Sequence, residues 1–162
     1  MIFRMTLDAF HRGLSAMIVL IVLGGVAVVS ANAPPGRWAL VVLLAGVVVL
    51  AWAFSPCALE VEGQELRILR RLAPPVRVPL DTVRALGPAP EFSLRLLGFG
   101  GLFGSFGLYR AKGVGTYRRY ATRASGAVLL ERTKGIPIAV TPDDPAGFAR
   151  ALKGRLPAAT AR

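Results

Sequence analysis

The chain is poor in the residues from which most catalytic and redox sites are built. Its 162 residues include one cysteine and one histidine, with nine Asp and Glu against twenty Lys and Arg. A single cysteine, Cys57, excludes an intrachain disulfide and agrees with a reducing compartment. His11 stands just before one apolar run and Cys57 just after another, so no Ser/His/Asp, Cys/His or metal-spaced set is legible along the chain. The one adjacent acidic pair, Asp143 and Asp144, reads as helix capping: carboxylates suit the positive end of a helix, and no third ligand stands nearby. These shortages point to a noncatalytic protein that needs no cofactor and no metal.

Charge is also missing over long stretches. No residue from Gly13 to Gly36 is charged and, after Arg37, none from Trp38 to Leu59. At 1.5 Å of rise per residue each run makes a helix of roughly 30 Å, the thickness of a bilayer's hydrocarbon core. With 54% hydrophobic residues and a mean hydropathy of +0.54, the chain is too apolar for an ordinary soluble domain. Two transmembrane helices are expected, over 14–31 and 38–54, because a helix in lipid satisfies its own backbone hydrogen bonds. The prolines and glycine of NAPPGR make the turn between them, and Trp38, Trp52 and Phe54 sit where ring side chains meet headgroups. A cleaved secretory signal ending at Ala31-Asn32-Ala33 is the competing reading of the first run; its length and the second run that follows favour an uncleaved hairpin.

Arg4 and Arg12 precede the first run, Arg37 lies between the two, and the other seventeen basic residues follow the second. The positive-inside bias then places both termini in the cytoplasm, in a multi-pass protein of the plasma (inner) membrane. The expected organisation is a cytoplasmic segment 1–12, a helical hairpin 13–54, a β domain 55–153 and a flexible tail 154–162.

Downstream of Phe54 the pattern changes to short alternating segments. ALEVEG and ELRILRRL meet at a Gly63-Gln64 turn; VRVPLDTV follows Pro74-Pro75; FSLRLL leads into a glycine stretch and VGTYRRYATR leads out. AVLLERT and IPIAVT form a further hairpin across Lys134-Gly135. Six or seven strands with short turns predict a small antiparallel sandwich or barrel. A closing helix over 143–153 has Thr141 or Asp144 as cap, a proline in its first turn, and Phe148, Ala149 and Leu152 on one face.

Those segments, namely SPCALEVEGQELRI, VRVPLDTVRAL, RLLGFGGLFGSFGLYR, YRRYATRASGAVLLE and AVTPDDPAGF, resemble the bacterial pleckstrin-homology-like (PH-like) domains that follow two membrane helices. The resemblance runs from Ser55 to Leu152 and implies a seven-stranded, sharply bent antiparallel sheet closed at one end by the C-terminal helix. It implies no headgroup motif and no mechanism. The expected fold class is thus an α+β membrane protein, a transmembrane hairpin followed by a PH-like β-barrel or sandwich with a capping helix.

The stretch 98-GFGGLFGSFGLYR-110 holds five glycines among large apolar side chains. Dinucleotide binding would need a third glycine where Phe103 stands, and no Gly-Lys-Ser/Thr step provides a P-loop. Two readings remain. The side chains fill the barrel while glycines permit its corners, or Leu102, Phe103 and Phe106 form an apolar tip that touches lipid, the transmembrane hairpin or a neighbouring protomer. A basic set, Arg95, Arg110, Lys112, Arg118, Arg119 and Arg123 with Tyr117 and Tyr120 between, reads either as a solvated face or as a contact for anionic lipid. Arg110, Lys112, Arg118, Arg119 and Arg123 are the candidate lipid contacts, and nucleic acid ranks below lipid because tethering accounts for the same charge. The expected role is a noncatalytic scaffold that binds protein or anionic lipid at the cytoplasmic face, as a homo-oligomer or beside another membrane protein, with no small-molecule substrate. The alternative is an accessory or regulatory subunit of a larger membrane complex, its helices packing through Gly24-Gly25 and Gly46.

Overall fold

A computed structural model describes residues 1–32, 36–90 and 92–156. The proposed cleavage site and interhelical turn run into residues 33–35 and most of the tail into 157–162, which lie outside the described residues. The fold is α+β, and its first element is one that hydropathy does not mark. Ile2–Arg4 is a strand, β1, followed at once by helix α1 (Ala9–Asn32) and helix α2 (Gly36–Phe54). Strand β2 (Pro56–Glu62) then returns antiparallel beside β1, with Phe3 opposite Leu59. The two apolar helices therefore leave and re-enter the same sheet side by side.

Residues 1–12 are accordingly not a plain segment. Met5 is buried in the main core, the ring of Phe3 meets that of Phe148 edge-on at 5.3 Å, and the N-terminal ammonium donates to the Val61 carbonyl at 3.0 Å. Three residues of alternating exposure are too few for a period-2 pattern to register. Of the two helices, the segment Ala9–Val28 is long and apolar enough to cross a membrane by length and composition; Trp38–Phe54 is a shorter apolar helix. The expectation of two transmembrane helices is thus supported for one candidate span only, with the shorter apolar helix α2 packed against it.

After β2 come β3 (Glu65–Arg70) and β4 (Val76–Pro79), completing a four-stranded sheet in the order β1-β2-β3-β4. The segment VRVPLDTV is not one strand: a 3-10 turn, Leu80–Thr82, moves the chain into a second sheet. That sheet contains β5 (Val83–Pro88), β6 (Leu94–Gly101), β7 (Gly104–Ala111), β8 (Gly115–Ala121), β9 (Val128–Arg132) and β10 (Ile138–Val140), in the order β5-β9-β10-β8-β7-β6. The pair β10–β8 is parallel and the rest are antiparallel, so the described strands make two mixed or antiparallel sheets and no closed barrel.

Alternating residues of both sheets build the core. Leu59, Val61, Leu66, Ile68 and Val78 of the first sheet meet Phe106, Leu130, Ile138 and Val140 of the second. Helix α3 (Pro145–Lys153) closes it with Phe148 and Leu152, both fully buried. Asp144 caps α3 as expected, its side chain accepting from the Gly147 amide at 2.9 Å, with Pro145 in the first turn. Asp143 does not share in the cap. It accepts from the Thr6 amide and hydroxyl, both at 2.9 Å, and so ties the start of the chain to the end of the domain.

Candidate functional site

Glycines shape the second sheet. Gly98 and Gly107 face one another across β6 and β7, with φ of +118° and +137°. A Cβ on Gly107 would fall onto the Leu97 carbonyl, and one on Gly98 onto that of Phe106. Only glycine permits this backbone approach, so the stretch is a bent strand pair and not a loop. The pair turns at Leu102 and Phe103, where Phe103 has a φ of +54° and donates its amide to Ser15 Oγ of α1 at 2.8 Å. The hairpin tip is docked on the foot of the first helix. Leu102 is buried, Phe106 lies in the core against Phe99, and Phe103 is half-buried, so Phe106 fills the core while the tip meets the first helix, one of the contacts that the sequence allows.

Exposed apolar side chains of the domain stand elsewhere. Edge strand β6 carries Leu94, Leu96 and Leu97, with Phe92 before it, and Leu97 is 74% exposed. A register shift between Arg95 and Leu97 breaks alternation there, which hides the patch from a period-2 reading.

Beside Leu97 a cleft of about 320 Å³ opens where α2 ends. Phe54, Leu97, Phe106, Leu108 and Tyr120 form its walls, Gly98 and Gly107 leave room in it, and Arg70 and Arg118 line it with no Asp or Glu among the described lining residues. Arg70 is placed by the fold: it stacks over the Phe54 ring at 5.2 Å and donates from Nε and Nη2 to the Pro74 carbonyl. Its neighbour Arg71 stacks over Trp52 at 5.7 Å and donates to Ser55 Oγ at 3.1 Å. Cation–π contact thus holds two arginines at the aromatic end of α2. Arg118, on β8 opposite Leu108, is exposed.

The five basic candidates separate. Register puts Arg110, opposite Thr116, on the same face as Arg118, and Lys112 is in the turn that follows. Arg119 takes the other face, buried over the Tyr109 ring at 5.8 Å, with Nη2 on the Ala124 carbonyl and Nε unpartnered. Burial raises the pKa of the Tyr109 phenol there. Arg123 lies 3.8 Å from Asp143. Arg70, one of the basic residues nearest the end of the second apolar run, is not among the five candidate lipid contacts; the signal that marks it is that adjacency.

One constellation that linear spacing conceals lies at the start of α1. His11 Nδ1 is 2.6 Å from Asp8 Oδ1, and His11 Nε2 is 3.3 Å from Ser105 Oγ on β7. Asp8 also accepts from the His11 amide at 2.8 Å and, through Oδ2, from the Ala124 amide at 2.9 Å. Burial pushes the Asp8 carboxyl up, but the two amides and the His11 side chain outweigh it and hold the group below its ordinary range. The order of groups matches a hydrolytic Asp-His-Ser set, contrary to the reading that none can be assembled. The imidazole is only 3% exposed, however, and the contacts to Ser105 and Ala124 join helix to domain, so the cluster acts as a clamp.

The family model of the bacterial PH domain matches residues 58–156, more than half of the chain. The chain belongs to the bacterial PH domain family. The match begins within β2, so β1 and both helices lie outside the matched residues. No curated protein and no solved structure matches the chain.

Proposed function

We propose that this bacterial PH domain protein is a noncatalytic binding module anchored in the plasma membrane, with the domain and both termini at the cytoplasmic face. One observation carries the reading: antiparallel β1 and β2 flank the two apolar helices, so both helix ends that meet the domain lie on one side. Helices with Leu20, Ile21, Leu40, Val42 and Leu43 more than half exposed need an apolar medium around them, and lipid meets that need. Charge agrees with the orientation, since seventeen of twenty basic residues follow the second helix. The hairpin reading brings the shorter α2 across beside α1 as the return leg.

The domain would serve as a scaffold that offers its surface to anionic lipid or to another protein. The exposed leucines of edge strand β6 favour a second reading, an accessory subunit whose edge and helices pack on a larger membrane complex. Fractionation and topology mapping test the anchor. The chain should stay with membranes after an alkaline wash, and C-terminal reporters should be active only inside the cell; release by the wash, or reporter activity outside, would sink the proposal. Purification in mild detergent separates the two roles, because a subunit brings a stoichiometric second protein.

A further inference from the structure

The anchored reading gives the cleft at the end of α2 a specific depth. Phe54 is the last residue of an apolar helix and also a wall of the cleft, so in a membrane the opening lies at the level of lipid headgroups. We infer that the cleft seats one anionic phospholipid, its phosphate between Arg70 and Arg118 and the start of an acyl chain against Leu97 and Leu108. This inference rests on the membrane-anchored reading above.

Charge selects the occupant. Arg70 and Arg118 line the cleft, and among the described residues no acidic side chain lines it with them. The acids of the first sheet are engaged elsewhere: Glu60, Glu62 and Glu65 all surround Arg67, with Glu65 at 3.2 Å. The Pro74 carbonyl takes Nε and Nη2 of Arg70, which fixes the fork and leaves Nη1 free of that bond. Arginine is suited to phosphate because its planar donors meet two oxygens at once. A lone hydrated phosphate would not need the remaining walls, which are ring and leucine carbon. A phospholipid uses both, and Leu97, otherwise an exposed leucine without purpose, becomes the surface on which its chain rests. The volume is at the small end of ligand sites, suited to a headgroup and the first part of a chain.

The test uses the full-length chain purified in mild detergent. Native mass spectrometry would measure its retention of dioctanoyl phosphatidylglycerol, dioctanoyl phosphatidylcholine and inorganic phosphate. Phosphatidylglycerol should be retained preferentially, Arg118→Gln and Arg70→Gln should each weaken it roughly tenfold, and Lys134→Gln, exposed and outside the cleft, should leave it unchanged. Leu97→Asp, at an exposed position, reads the apolar wall without touching an arginine and should lower retention while the thermal midpoint stays in place. Equal retention of both lipids, or selectivity that survives both arginine changes, overturns the site while leaving the anchor intact. Inorganic phosphate displacing the lipid at equal concentration overturns a lipid as its occupant. A chain that remains soluble without detergent overturns the anchored reading, and the site falls with it.

Discussion

Asp8 commits both carboxylate oxygens, one to the first turn of α1 and one to the loop after β8. Asp8→Ala strands two amides and an imidazole, and it should cost about 2 kcal/mol in an unfolding titration of the detergent-solubilised protein. The sign with pH follows from the depressed carboxyl. Its contribution is present above the ordinary carboxylate range near about pH 4 and is lost as pH falls through the lower folded value, so wild type and Asp8→Asn should converge in stability in acid. Glycine offers a sharper contrast. Gly107→Ala forces a Cβ into the facing backbone at positive φ and should destabilise by about 2 kcal/mol or more, whereas Gly87→Ala, with open space at its Cβ, should change stability by under about 0.5 kcal/mol. From sequence, a glycine that must be glycine looks the same as one that need not be, because the difference resides in the opposite strand. Asp144 is legible because a cap acts on its own helix; Asp8 is not, because Ala124 and Ser105 are remote in the chain.

At the scale of elements, local pattern locates most strands and the closing helix but not how they pair. The β6–β7 hairpin shows why. Its glycines admit both a core and a tip, and only its docking on Ser15 places Leu102 and Phe106 inside. Removing that acceptor by Ser15→Ala should cost about 1 kcal/mol, seen as roughly fivefold faster hydrogen exchange of the Phe103 amide with little change at β9. Helix α3 is a stronger case: Phe148 is fully buried against Phe3, so Phe148→Ala should cost about 3–5 kcal/mol and loosen β1 together with the helix. The switch of VRVPLDTV from one sheet to the other depends on the 3-10 turn after Pro79, which an alternating pattern runs straight through.

For the whole molecule, hydropathy locates the helical region, and charge suggests its orientation. The sequence does not disclose that the residues ahead of the helices belong to the domain behind them. A fragment 55–162 lacks β1, Phe3 and Met5, and it should unfold at least about 3 kcal/mol more easily than the intact domain. Joining residues 1–8 to that fragment through a short flexible linker in place of the helices should recover most of the loss, measured by urea denaturation. The position of β1 also sets an order of events during synthesis. Strand β1 is synthesised about fifty residues ahead of its partner β2, and closing so large a loop is slow and entropically costly. On the anchored reading proposed above, insertion of the apolar hairpin would bring its two ends together and perform that closure in advance, so that the bilayer would serve as the template on which the first sheet is completed.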